Sequence, residues 1–341
     1  MVDIMNILIL GGTAWLSSTI ARTATGRGHH VTCAARGTDT PPQGCAFIPL
    51  DRNQPDAYTT LPNVTWDAVV DVTTSRDFAA DAVTHIRTNQ WVYVSSASVY
   101  ADMSDPHRDE TTPLVSPEGA DTPGNFPAAK VACEQQFPPE TTCIIRPGLI
   151  GGAGDPTGRS GYYPWRFTHP TGPEVLAPDR RMPVALIDVT DLAAWIVHCM
   201  EHQVMGVFNA VGPAHTLNDV YELSPIPVRE VPADALLSAG INQWVGPTSL
   251  PLWLADPNLQ FAMVFDSTAA RNHGAHHPPA GGNPPGSSQY LPTGHQRPHR
   301  RGGTRITRLP HGVDKRISTQ RTVSCAAFPQ LGTPAPGTAA Y

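Results

Sequence analysis

Lysine is nearly missing from this sequence: among 341 residues only Lys130 and Lys315 are lysines, while arginine is used throughout. Missing too is any apolar run near the roughly 18–20 residues that cross a bilayer as a helix, which excludes a helical membrane protein. The start, "MVDIMNILIL", carries Asp3 where a secretory leader would carry Lys or Arg, so the chain reads as cytoplasmic, with no membrane partner. Six cysteines (Cys33, Cys45, Cys133, Cys143, Cys199, Cys325) are scattered without a C-x-x-C pair, which excludes a disulfide scaffold and leaves reduced thiols. No metal site is expected: His295 and His299 are four apart, but Pro298 lies between them and breaks the helix such a pair would need.

The formal net charge of −6 combines two unlike parts. Beyond Arg271, eight basic residues face the single acid Asp314, which makes the tail about +7 and the preceding body about −13. An acidic body argues against nucleic acid as the main partner, and only the tail is suited to phosphates. That tail is dense in Pro, Gly, His and Arg and has no helical or strand period. It cannot bury enough apolar surface to offset its ordering entropy, and residues 273–341 are read as disordered.

What is present in the first half is a run of short aliphatic strands. "NILIL" (Asn6 to Leu10), "HHVTCAA", "CAFIPL", "DAVVDV", "WVYVSS" and "TCIIRPGLI" are buried-strand patterns, and "SSTIARTATGRG" and "RDFAADAVTHI" are helical ones. Apolar strands spaced by helices imply right-handed βαβ units and a parallel sheet covered on both faces, an α/β doubly wound fold. After Gly151 the texture turns to Gly, Pro, Tyr and Arg, followed by a helix in "VALIDVTDLAAWIVHCM" and a strand in "GVFNAVG". "HTLNDVYELS" offers barely two helical turns before Pro225. Asp188 and Asp191 are read as positioning their loop and capping the helix that follows.

"ILGGTAWLSS" (Ile9 to Ser18) has a strand before it and a helix after it. Glycines there let the backbone turn sharply and approach a pyrophosphate, whose charge is met by the helix N-terminus. Gly11 and Gly12 keep the turn, whereas Ala14 and Ser17 stand where a GxxGxxG spacing has glycine. Arg36, closing the second strand, suits a ribose 2′-phosphate, and Asp51 is either an acceptor for an adenine amino group or a turn-capping loop residue. "YVSSASVYAD" delivers Ser95 and Ser96 at a strand's carboxyl end. Lys130, the one lysine of the body, sits in "GNFPAAKVACE", and a sequence that elsewhere prefers Arg keeps an ammonium there for its point charge.

Together, "LGGTAWLSS", "GHHVTCAARG", "DAVVDV", "YVSSASVYAD", "AKVACE", "IIRPGLIGGAGDP" and "IDVTDLAAW" resemble, in order over about residues 5–270, the extended short-chain dehydrogenase/reductase superfamily. The resemblance is to its NAD-dependent epimerase/dehydratase branch and the actinobacterial reductases within it. It implies a Rossmann-type NAD(P)-binding domain over residues 1–150, remaining Rossmann elements with a substrate region over 151–272, and a small-molecule substrate. A homodimer is one of the open readings of the chain's assembly. The implied cofactor set is Gly11, Gly12, Thr13, Ala14, Trp15, Leu16, Arg36, Asp51, Lys130 and Pro147, with NADP favoured over NAD because of Arg36. The family's active-site serine falls on Ser96 and its lysine on Lys130, but the tyrosine position holds Phe126.

A phenol is the group that gives or takes the proton in that family, and phenylalanine has none to exchange. Pro127 further disfavours the helical conformation at Phe126, which would turn its ring away from Lys130. Tyr100, Tyr162 and Tyr163 are the other phenols offered as proton donors, and Arg159 and Arg166 as substrate anchors. Two readings follow. One is an impaired NAD(P)-dependent oxidoreductase or epimerase working by hydride transfer at a carbonyl or hydroxyl carbon; the other is an inactive dinucleotide-binding sensor.

Overall fold

A computed structural model describes residues 3–275. The apolar runs form seven strands: β1 (Asn6–Leu10), β2 (His30–Ala35), β3 (Ala46–Pro49), β4 (Ala68–Asp71), β5 (Trp91–Val94), β6 (Thr142–Pro147) and β7 (Gly206–Ala210). They build one parallel sheet in the order β7-β6-β5-β4-β1-β2-β3. The chain leaves β1 first toward β2 and β3, then crosses back to β4. The crevice outside the carboxyl ends of β1 and β4 is therefore the topological switch point, where ligands of such sheets bind.

Strand residues alternate between two apolar layers. Ile7, Ile9, Val31, Cys33 and Val70 face one side, where α1 (Trp15–Gly26) packs on a long C-terminal helix over Val189–Glu201. Leu8, Leu10, Ala34, Val69 and Tyr93 face the other, under α2 (Arg76–His85) and α3 (Phe126–Glu134). Both sides being covered explains why the strands read as unbroken apolar runs.

A second core lies outside the sheet. It gathers Tyr163, Phe167, Val175, Leu217, Tyr221, Leu250 and Trp253 from α4 (Tyr162–Thr168) and from strand pairs of two or three residues, such as Val175–Ala177 with Val228–Glu230. The helix over Val189–Glu201 is α5, and Asp188 caps it by accepting a hydrogen bond from Thr190 N. The stretch at "HTLNDVYELS" is a helix of five residues, α6 (Leu217–Tyr221), closed at its start by a capping box between Thr216 and Asp219. Packed chain extends to Ala275, which is buried against the sheet layer, past the boundary set at residue 272. The reading of the rest of the tail, with His295 and His299, lies outside the described residues. Among those described, no helix is long and apolar enough to cross a membrane, and the five cysteines are free thiols.

Candidate dinucleotide and active site

The glycine turn after β1 has the features a close phosphate approach demands. Gly11 takes φ +72°, donates its N–H to Ala34 O at 2.8 Å and accepts from Ala14 N at 3.1 Å. A Cβ on Gly12 would stand 2.7 Å from Cys33 Sγ and 3.0 Å from Ile9 O, so no side chain fits there. Thr13 is half-buried, Ala14 is exposed, and Leu16 is buried in the first turn of α1. Among the described residues no side chain caps the first turn of α1, so its leading N–H groups are available to an external anion. Ala14 stands in extended backbone at the N-cap, without strain. Trp15 reaches across the site: its indole N–H donates to Ala153 O at 2.9 Å and ties the turn to the 152–154 glycine loop. These residues fit a dinucleotide pyrophosphate.

Arg36 is exposed just past β2, with Asp51 close enough for its charge to be felt there. Asp51 accepts from Asn53 N at 3.1 Å and Asn53 Nδ2 at 2.8 Å, and these bonds hold its carboxyl below the usual carboxylate range. In this conformation it closes its own turn. Pro147 is buried at the carboxyl end of β6, paired in register with Ala210.

The centre of the site is Lys130. Its side chain is fully buried, and Nζ donates to Val72 O and Thr73 O, each at 3.1 Å, and to Val94 O at 2.8 Å. The ammonium thus joins the carboxyl ends of β4 and β5. Burial lowers its pKa to about 8, although Cys133, Asp71 and Glu134 act in the opposite direction. Two residues beyond Val94, Ser96 is half-buried and caps a short 3-10 turn. Its Oγ accepts from Ser98 N at 3.1 Å and lies 2.9 Å from Ser98 Oγ.

Phe126 is the first residue of α3, with Pro127 inside the first turn, where its missing N–H has no helical acceptor to lose. The ring lies 5.8 Å from Lys130 Nζ, and Tyr93's ring lies 4.9 Å from it on another side. This corrects the expectation that Pro127 turns the ring away: positions i and i+4 meet as in a regular helix.

The remaining phenols are placed elsewhere. Tyr100 is buried; its hydroxyl donates to Asn209 Oδ1 at 2.6 Å and accepts from Arg146 at 3.2 Å. Burial raises its pKa. Tyr163 lies in the second core with its hydroxyl 3.1 Å from both Tyr221 Oη and Pro251 O, and burial pushes it well above the usual phenol range. Arg166 is also buried and donates to Glu174 O at 3.0 Å. These three side chains hold the protein together. Tyr162 and Arg159 are half-buried, and Arg159 stacks over the Trp244 ring at 4.7 Å while donating to Thr157.

Sequence reasoning missed the buried group behind Lys130. One helical turn further along α3, Glu134 takes a two-point salt bridge from Arg146, at 3.0 and 2.7 Å, and Arg146 continues to Tyr100 and to Glu110 O. Asn209 closes the network by accepting from Tyr100, donating its backbone N–H to Glu110 Oε1 at 2.7 Å, and donating its amide to Asp266 O at 2.9 Å. The network fixes α3, and with it Lys130 and Phe126, against the sheet ends. "AKVACE" and "IIRPG" contained both charges, but nothing local pairs them.

No protein-family model matches the chain. A curated relative, the 2'-dehydrokanamycin reductase of Streptomyces kanamyceticus, is 30% identical over 140 residues, which is 39% of this chain and 38% of the relative. The match thus spans well under half of that protein. Solved structures cover far more. The UDP-glucose 4-epimerase of Thermus thermophilus in complex with NAD superposes with a TM-score of 0.54 at 16% identity over 80% of this chain and 94% of its own. The UDP-Glc/GlcNAc 4-epimerase of Campylobacter jejuni gives 0.58 at 14% identity, over 81% and 95%. The terminal R domain of the myxalamid PKS-NRPS pathway gives 0.61 at 17%, over 82% and 88%. The chain therefore has the fold of these two epimerases and of the R domain.

Proposed function

We propose that this protein binds a nicotinamide dinucleotide at the switch point of its sheet and is an oxidoreductase- or epimerase-like protein whose proton-transfer step is impaired. When bound, the nicotinamide supplies the hydride acceptor or donor. Gly11, Gly12 and the first turn of α1 receive the pyrophosphate. Arg36 favours the 2′-phosphate of NADP, and NAD is the second choice. Ser96 polarises the oxygen of a carbonyl or hydroxyl carbon, and Lys130 orients the groups around the nicotinamide ribose. Substrate enters beside the second core, where Arg159, Tyr162 and Trp244 are its contacts. The curated relative is a reductase by name, which favours the carbonyl-reducing direction. A cytoplasmic homodimer is the proposed working form, checked by sedimentation.

One observation carries the impairment: the ring of Phe126 faces Lys130 Nζ at 5.8 Å with no hydroxyl on it. A tyrosine there would place a phenol beside an ammonium, which lowers its pKa toward working pH. Loss of a positioned general acid or base removes about 10²- to 10⁴-fold of rate. The second reading, an inactive dinucleotide sensor, draws on the same lysine, whose protons are directed to three backbone carbonyls.

The test has two stages. NADP and NAD are added in turn and thermal unfolding is followed; a raised midpoint is expected, and no rise with either dinucleotide removes both readings. Wild type and Phe126→Tyr are then assayed on aldehydes, ketones and nucleotide sugars at the nicotinamide absorbance band. The variant is expected to turn over faster by about 10²-fold or more. Equal rates would show that the missing phenol is not the defect, and no turnover by either protein favours the sensor.

A further inference from the structure

The opposite edge of the sheet holds a second cluster of chemically active side chains. "HCMEH" places His198, Glu201 and His202 at i, i+3 and i+4 at the C-terminal end of α5, on one face of the helix. One ligand-capable atom from each lies within 4.8 Å of the others. A zinc-type ion holds its N and O ligands at about 2.0–2.2 Å, which sets neighbouring ligand atoms roughly 3.4 Å apart in a tetrahedral site. Small side-chain torsions close that difference, because the two imidazoles are already aligned: their ring centres are 4.0 Å apart and their planes 29° from parallel.

Each group is held as a metal ligand is usually held, with one face fixed and another left to coordinate. His202 Nδ1 lies 3.0 Å from His198 O, so it carries the proton and Nε2 keeps the lone pair. Gly274 packs against the His198 ring so closely that a Cβ there would be 2.5 Å from Nε2. Glu201 receives Arg27 at 2.6 Å on Oε2 and His29 Nε2 at 3.1 Å on Oε1. His29 Nδ1 accepts from Met5 N at 3.3 Å, which makes Nε2 the donor to the carboxylate. Each carboxylate oxygen has two lone pairs, so these contacts orient Glu201 without exhausting it. Arg27 is the partner that gives way most readily, since its side chain is 35% exposed.

We propose that His198, Glu201 and His202 form a binding site for a divalent transition metal of the zinc or nickel class, remote from the dinucleotide edge. Two imidazoles and one carboxylate suit such borderline ions rather than calcium or magnesium. His202 is exposed, so the remaining coordination position opens to water. The ion would tie the end of α5 to the turn between α1 and β2, through the shell of Arg27 and His29, and to the segment around His273.

The experiment titrates the full chain with zinc sulfate in a calorimeter and compares wild type with His198→Ala/His202→Ala and with His276→Ala/His277→Ala, the second pair being the control for zinc taken up by histidines outside the site. One equivalent bound by wild type, retained by the tail variant and weakened by more than about 10-fold in the α5 variant is the expected result. Equal binding by wild type and the α5 variant overturns the site, as does loss in the tail variant alone. Should the α5 variant fail to fold, carbethoxylation of wild type mapped by peptide mass decides: zinc that protects His198 and His202 supports the site, and zinc that leaves both reactive overturns it.

Discussion

The layers on the seven-stranded sheet and the second core both bury aliphatic and aromatic side chains, but they hold them by different means. In the sheet half, strands run in continuous parallel ladders, and buried charges are held at fixed partners, Lys130 on three carbonyls, Glu134 on Arg146 and Asp71 on Arg52. In the other half the strand pairs are two or three residues long, and order comes from tyrosine hydroxyls, side-chain caps and turns. That half also contains Trp244 and Leu252 at φ +66° and +63°, left-handed conformations that side chains of this size adopt at a cost. The sheet half can therefore be weakened most by uncovering a charge. The other half should lose a little at each of many places.

The sharpest break of that comparison is Glu134→Ala. It strands the Arg146 guanidinium in the interior, and loss of one partner of a buried ion pair costs about 3–5 kcal/mol. Urea denaturation should show that loss, and a loss below about 1 kcal/mol would mean that solvent reaches Arg146. The pH dependence of Lys130 comes next. Its folded pKa of about 8 lies below the ordinary 10.5, so between those values the unfolded chain binds the extra proton and stability rises with pH. Wild type should gain on Lys130→Met by on the order of 2–3 kcal/mol between about pH 7.5 and about pH 10. Parallel pH curves for the two proteins would dismiss the buried ammonium.

Gly12→Ala presses a methyl group against Cys33 and should cost about 1–3 kcal/mol, with dinucleotide binding lost as well. Unchanged stability with weakened binding would show that Cys33 moves aside. The smallest effect belongs to the other half. Tyr163→Phe removes one hydroxyl shared by Tyr221 and Pro251 and should cost about 1 kcal/mol, with the midpoint read by thermal scanning. A cost equal to that of Glu134→Ala would erase the contrast between the two regions.

How much of this was legible depended on the distance between partners. The strands from Asn6 to Pro147 were visible because each is a short apolar run bounded by turns. The glycine turn was visible because its chemistry lies within four residues. Lys130 was visible by rarity, and its pairing with Phe126 by helical spacing, although Pro127 pointed to the wrong geometry there. Tyr100, Tyr163 and Arg166 are buried on hydrogen-bond partners within the protein, a placement not legible in the sequence because polarity does not say which way a side chain faces. The two- and three-residue strand pairs of the second core carry too few residues to show a period.

Local pattern alone determined the alternation of strands and helices and marked the positions of the glycine turn and of the body's one lysine, since apolar period, turn residues and rarity are read from neighbours and composition. Only the tertiary structure decided where those groups point. Lys130 meets carbonyls 36 to 58 residues away, Arg27 meets Glu201 across 174 residues, and Tyr100 meets Asn209 across 109. Such partners are chosen by the order and register of the sheet, which no short stretch of sequence encodes.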